Sequence, residues 1–300
     1  MIPWAIELRI KGVHYGLTLL YSYMLPLFEV EETPGGFIFR KMRGLGRGLT
    51  CEFNEQELKT RCIVPEEVSR VSVERVLGLK KQLLFGELCV RLNLPPSYCS
   101  VTLLYEPADA KLVFYAVYLS RNTDYYVNTV NWTKQAVDHG AVESTSYIPR
   151  EFNALKPRID SVFAEYTDPT VLSVELLKLR GVGAKTVSAL MLHGYGLTEY
   201  APVDRHYADY LGLNPRQPPK SACITSGFKC SKCTRSCVYK YAVVKYGVYN
   251  GVVQSLTYIR ARLRRSRRSI IEEVLVKETS WYLDIVESIL EKARELKLTV

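Results

Sequence analysis

The sequence has no unbroken apolar run of the roughly 18 residues that a membrane-spanning helix needs. Its nearest stretch, Leu17 to Phe28, is short and interrupted by Ser22 and Pro26. Met1-Ile2-Pro3-Trp4 lacks the basic start and small-residue cleavage site of a secretory signal. These two absences point to an intracellular, cytoplasmic protein whose thiols stay reduced. No internal repeat is present. Glutamine is scarce while tyrosine and arginine are abundant, a composition in keeping with a thermophilic source. Acidic residues are also in deficit: 40 Lys and Arg face 31 Asp and Glu, for a formal charge of +9. That surplus suits a polyanion, because each neutralised phosphate releases counterions. A hydrophobic share of 47% excludes wholesale disorder.

At 300 residues the chain is about twice the usual single-domain length, so two domains are expected. Residues 1–100 open with period-two segments at Ala5–Ile10, Leu27–Glu31, Phe37–Arg40 and Leu49–Phe53, the middle two flanking a Pro34-Gly35-Gly36 turn. This pattern predicts an antiparallel sheet. Helical spacing takes over near Val68, and Pro95-Pro96 separates the halves. Residues 101–300 are read as mainly helical. Helices are expected from Pro107 to about Leu119, and at 126–139, 151–165, 171–179, 184–194 and 205–211. Two more are expected from about Tyr239 to Leu263 and from Ile270 to Leu296. The fold class is therefore α+β.

The most informative stretch is Leu176-Leu-Lys-Leu-Arg-Gly-Val-Gly-Ala-Lys-Thr-Val-Ser-Ala-Leu190. One apolar helix stops at Gly181-Val182-Gly183 and another starts at once, so residues 171–194 form a helical hairpin. Glycines there permit a sharp turn and bring bare N–H groups to a helix start, a site for one phosphate. An ordinary αα-corner has the same pattern. What sharpens it is Lys185 in the first turn of the second helix, a position that cations ordinarily avoid. A neutral lysine amine is the nucleophile for a Schiff base with a sugar C1′. Nineteen residues on, Asp204 in Ala201-Pro-Val-Asp-Arg-His206 reads as the N-cap of a helix beginning at Arg205. Beside Lys185, its carboxylate can also stabilise positive charge on a deoxyribose as the base departs.

Leu179-Arg-Gly-Val-Gly-Ala-Lys185 followed by Pro202-Val-Asp204-Arg-His206 resembles the hairpin, Gly/Pro-rich loop and aspartate signature of the endonuclease III superfamily. The resemblance implies a bifunctional enzyme of base-excision repair, joining base excision to strand cleavage by β-elimination. Its catalytic pair would be Lys185 and Asp204, and its partner double-stranded DNA carrying a damaged base or an abasic site. Leu119-Ser-Arg-Asn-Thr-Asp124 is similar to the family segment whose polar residue fills the gap beside the flipped nucleotide, with Arg121 where Gln or Asn is usual. On this resemblance Gly181, Gly183, Arg121, Asn122 and His206 are expected to contact DNA.

Tyr246-Gly-Val-Tyr-Asn-Gly-Val-Val-Gln254-Ser-Leu-Thr-Tyr258 is similar to the late helix of the 8-oxoguanine DNA glycosylases. That likeness implies a base pocket lined by Gln254 and Tyr258, which one helical turn places on the same face. Their alternative readings are a solvated glutamine and a core tyrosine. Ala189 and His193 face the same way from the hairpin's second helix without fixing a base, so an oxidised pyrimidine stays open beside 8-oxoguanine. A pocket is needed because the glycosidic bond is out of reach until the nucleotide leaves the stack. A catalytically silent hairpin that only binds DNA is the other class of reading, but it has no use for Lys185 and Asp204.

Eight cysteines complete the inventory. Four are scattered, at Cys51, Cys62, Cys89 and Cys99. Four fall within fifteen residues: Cys223, Cys230, Cys233 and Cys237. The second group is read as a metal site, a [4Fe–4S] cluster with zinc as the alternative. Its placement differs from endonuclease III, whose cluster lies at the chain end. The basic run Arg260–Arg268 is either a solvated helix end or a strip that contacts phosphates. The protein is expected to be a monomer.

Overall fold

A computed structural model describes residues 6–216 and 218–296, except for the side chain of Ile6. It is a five-stranded antiparallel sheet packed against and followed by helices. Strands β1 (Ile6–Lys11), β2 (Phe28–Thr33), β3 (Gly36–Lys41), β4 (Thr50–Asn54) and β5 (Lys59–Val64) lie in the order β1-β5-β4-β3-β2. Ala5, where the sequence starts its first strand, lies outside the described residues. β5 was not foreseen. Its burial alternates cleanly, but Thr60, Cys62 and Val64 face the core while Ile63 is 50% exposed, so hydropathy conceals the strand.

Helix α1 (Tyr15–Leu20) and a 3₁₀ turn at Leu25–Leu27 occupy the apolar stretch between β1 and β2, every residue of both being buried. Among the described residues no helix is long and apolar enough to cross a membrane. α2 (Arg70–Val76) and α3 (Leu79–Arg91) follow the sheet. α4 (Ala110–Leu119), α5 (Val130–Asp138), α6 (Tyr147–Glu165), α7 (Pro169–Lys178), α8 (Ala184–Tyr195) and α9 (Arg205–Leu211) come next, then α10 (Lys220–Thr225) and α11 (Val238–Tyr246) on either side of the cysteine segment. α12 (Asn250–Leu263), α13 (Ile270–Leu275) and α14 (Ser280–Glu295) complete the chain.

The expected 239–263 helix is two helices. Gly247, at φ 51° and ψ −125°, ends α11, and α12 restarts after a 3₁₀ turn. The expected 270–296 helix is likewise divided at Val276, whose extended backbone ends α13. α13 packs onto α1, β2 and β3, so the chain's last quarter closes over its first, and one continuous apolar core joins sheet and helices.

Two disulfides overturn the expectation that the scattered cysteines are reduced thiols. Cys51–Cys62 links residues that the β4–β5 register sets directly opposite each other. Cys89–Cys99 ties the end of α3 to the 3₁₀ turn Pro96–Cys99. In both pairs the fold brings the side chains together inside the core, shielded from solvent.

Candidate active site

The hairpin forms as its sequence dictates. Asp168 caps α7 by accepting from the N–H groups of Thr170 and Val171, with Pro169 pre-set for the first helical position. Leu179 is already extended, and the chain reverses through Gly181 at φ 75°. A Cβ on Gly181 would lie 2.5 Å from Arg121 Nη1 and 3.0 Å from Tyr118 Oη. Gly183 is extended and serves as N-cap of α8, which places Lys185 in the first turn. At the next turn Asp204 is also extended. Its Oδ1 accepts from the Tyr207 N–H at 2.8 Å, the capping role read from the sequence.

These two residues meet in one cleft of about 380 Å³. Lys185 lines it from α8, and Pro202, Asp204, Arg205 and His206 from the loop and first turn of α9. Gln254 and Tyr258 face it from α12, while Asn122 and Asp124 come from the loop after α4. Gln254 is only 4% exposed, so it is not a solvated residue, and Tyr258 is half-buried. Asn122 adopts φ 49°, the left-handed region that asparagine tolerates better than most residues. Asp124 then caps a π-helical turn, Tyr125–Thr129, through the N–H groups of Tyr126 and Val127, and this turn brings Tyr125 to the cleft wall.

Arg121, expected to contact DNA, is held between the hairpin and α6. It does not line the cleft. Its guanidinium donates to the Tyr118 carbonyl (3.1 Å), the Gly181 carbonyl (3.1 Å) and Glu151 (2.5 Å), and lies 3.8 Å from the Tyr118 ring centroid. The reason is local. Glu151 on α6 and the carbonyl that the left-handed Gly181 turns outward both need a cation, and Arg121 supplies it. Its neighbours Ser120, Asn122, Thr123 and Asp124 line the cleft.

The basic run also divides by role. Arg262 is buried against Glu272 (2.5 Å), Arg264 pairs with Glu287 (2.6 Å), and Arg268 donates to the Glu272 and Val276 carbonyls. Arg262 and Arg265 face the cleft, where Arg265 lies 3.8 Å from Asp124. Sequence reading missed Tyr21 and Tyr23, which reach the cleft from the segment before β2. They sit in a stretch whose only sequence signal is apolarity, and nothing local marks them as lining residues. Burial drives the His193 imidazole down to about 3 and holds His206 below its usual range, with Asp204 opposing the latter.

Cys223, Cys230, Cys233 and Cys237 are free thiols that line one enclosed void of about 20 Å³, together with Ala184 of α8, Phe228 and Tyr239. Burial, then the neighbouring thiols, raises Cys223 to about 11 and Cys230 to about 12. The donor set thus suits a four-thiolate group in kind. Among the described residues, however, no three His, Cys, Asp or Glu side chains are arranged to hold a metal ion. The segment buttresses the hairpin: Lys220 Nζ donates to the Leu179 carbonyl at 2.7 Å, and Phe228 stacks on Tyr200.

The fold is an antiparallel sheet followed by a mainly helical part. It is shared with the apo form of the 8-oxoguanine glycosylase/lyase of Clostridium acetobutylicum, at 13% identity and a TM-score of 0.52, over 84% of this chain and 95% of that one. The same enzyme bound to double-stranded DNA containing cytosine opposite 8-oxoguanine aligns at 14% identity and a TM-score of 0.44, over 79% and 98% of the two chains. MBOgg1 in complex with a low-affinity DNA ligand aligns at 11% and 0.47, over 84% and 94%. No family model and no curated protein matches the sequence.

Proposed function

We propose that this chain is a bifunctional DNA glycosylase and abasic-site lyase of base-excision repair that removes an oxidised base, 8-oxoguanine foremost, from double-stranded DNA. The observation that carries the reading is the meeting of Lys185, Asp204, Gln254 and Tyr258 in one cleft, although they are up to seventy-three residues apart in sequence. The apo glycosylase/lyase that shares the fold supports the same class of reaction.

In this reading the hairpin holds the backbone of an extruded nucleotide, with the N–H groups at the start of α8 facing a phosphate. Lys185 Nζ, as the neutral amine, bonds C1′ while the C1′–N bond breaks, and the base leaves with the bonding pair and takes a proton. Asp204 faces the positive charge that grows on the sugar. One amine proton then passes to O4′ as the C1′–O4′ bond breaks, which opens the sugar ring and leaves the protonated Schiff base. Removal of a C2′ proton then expels the 3′ phosphate and cuts the strand. Gln254 and Tyr258 read the base, and Asn122 occupies the cleft mouth where the duplex is left open. No step depends on the cysteine segment, for which we propose a [4Fe–4S] cluster whose binding draws the four thiolates together and stiffens the loop behind the hairpin.

The test is excision and strand cleavage on a duplex containing 8-oxoguanine. Lys185→Gln is expected to abolish cleavage while still binding the duplex, and Asp204→Asn to slow excision by about a hundredfold or more, the scale of one lost electrostatic stabiliser of a transition state. Cleavage by Lys185→Gln at the wild-type rate would refute the mechanism.

A further inference from the structure

His193 lies two turns beyond Lys185 on α8, and a spacing of eight residues keeps both on the same helical face. It lines the cleft that Lys185 opens, yet it is only 1% exposed. Its Nδ1 is shut off from solvent and has no hydrogen-bond partner among the described residues. The ring is flanked by Tyr23, edge-on with centroids 5.1 Å apart, and by Tyr21 at 5.7 Å. Buried polar groups are nearly always paired, so an orphaned nitrogen in the wall of a cleft marks a place where something else supplies the partner. Plain core packing does not account for it, since an apolar side chain would fill that space without an unpaired nitrogen.

Position says what the partner is. Eight residues of α-helix span roughly 12 Å along the axis, and over that rise α8 passes from the exposed Lys185 to the buried His193. A nucleotide whose C1′ meets the Lys185 amine therefore points its base toward the histidine, with Gln254 of α12 also lining that space. Burial keeps the imidazole neutral across the working pH range, with one donor nitrogen and one acceptor. The cleft's charge adds a second selection: Arg262 is paired with Glu272 and Arg265 with Asp124, which leaves Lys185 and Arg205 lining the cleft beside the one carboxylate of Asp204. A base that is itself a cation meets a surplus of like charge there.

Resting on the glycosylase reading above, we infer that His193 is a specificity-determining residue of this cleft. Its neutral imidazole hydrogen-bonds the edge of an extruded, uncharged oxidised base, and the cleft rejects cationic ring-alkylated bases.

The test compares duplexes carrying 8-oxoguanine, thymine glycol, 7-methylguanine (a purine of similar size but positively charged) and a preformed abasic site. Wild-type protein should excise an oxidised base and leave 7-methylguanine in place. His193→Phe should lose excision of that base by about tenfold more than it loses strand cleavage at the abasic site, as expected when one hydrogen bond to the base disappears. His193→Gln, which restores a donor and an acceptor, should recover most of the loss. Equal losses in both reactions, no loss in either, or excision of 7-methylguanine as fast as of the oxidised base would overturn the inference. Should the lysine chemistry itself fail, binding decides. In a Lys185→Gln background, His193→Phe should reduce the preference for the oxidised over the undamaged duplex, and an unchanged preference would overturn the proposal.

Discussion

At the scale of the residue, the site depends on a few positions that admit one side chain for one physical reason. Gly181 is such a position. Its left-handed φ and the 2.5 Å approach of Arg121 mean that Gly181→Ala meets both backbone strain and a clash. We expect this substitution to cost about 1–2 kcal/mol, the scale of an L-residue forced into that region, and to weaken DNA binding with it. Differential scanning calorimetry and a binding titration check both. Arg121, read from the sequence as a gap-filling residue, clamps the hairpin to α6 through Glu151.

The buried histidines make a second prediction at this scale. His14 and His193 are both held below the ordinary imidazole range, chiefly by burial. The unfolded chain therefore binds more protons than the folded one at pH values below about 6.5 and above the depressed folded values. The stability their neutral forms contribute is fully present above pH 6.5 and is lost as the pH falls. Urea unfolding should show lower stability at pH 5 than at pH 7.5, a window in which free carboxylates are already ionised at both ends. His193→Phe should lose less over the same interval. Stability that rises on acidification would contradict the assignment.

At the scale of the element, capping and buttressing decide where the chemistry sits. Asp204 both ends an extended loop and starts α9, so its carboxylate is held by the Tyr207 N–H before any substrate arrives. Asp204→Asn keeps most of that cap, because asparagine caps helices about as well as aspartate. A thermal midpoint near wild type together with a large loss of excision would separate its two roles.

The cysteine segment supports the other side of the cleft through Ala184 and the Leu179 carbonyl. If it holds a [4Fe–4S] cluster, purified protein is brown and absorbs broadly near about 400 nm. Chelation or Cys230→Ser should bleach it, lower the melting temperature and loosen hydrogen-exchange protection at the start of α8. Colourless protein with stoichiometric zinc would replace the cluster by the alternative metal while leaving the buttress intact.

At the scale of the molecule, the C-terminal helices close back over the N-terminal sheet, and two disulfides tie short loops within that first part. Closing loops of this size stabilises a fold by about 3 kcal/mol each in the chain-entropy account. A reducing agent should therefore lower the melting temperature measurably, and the quadruple Ser variant should be insensitive to it.

The sequence disclosed what depends on neighbours along the chain. The Gly181–Gly183 turn, the Asp204 cap and the shared face of Gln254 and Tyr258 are all set by spacings of a few residues. It concealed what depends on tertiary approach. Tyr21 and Tyr23 belong to the cleft only because α4 and α8 come to them, β5 hides behind an outward-facing Ile63, and the pairing of Cys51 with Cys62 follows from strand register. Gly247 was visible as a glycine, but not as the point where one long helix becomes two.

The central claim is that Lys185 forms the Schiff base, and the most direct measurement is borohydride trapping followed by peptide mapping. Wild-type protein is mixed with duplexes carrying 8-oxoguanine, thymine glycol, uracil or an abasic site, reduced, digested and sequenced by mass spectrometry. The account predicts a covalent adduct with the abasic site and with an oxidised base, on the peptide that contains Lys185, and none in Lys185→Gln. An adduct mapped to another lysine, or no adduct with any of the four duplexes, would contradict it.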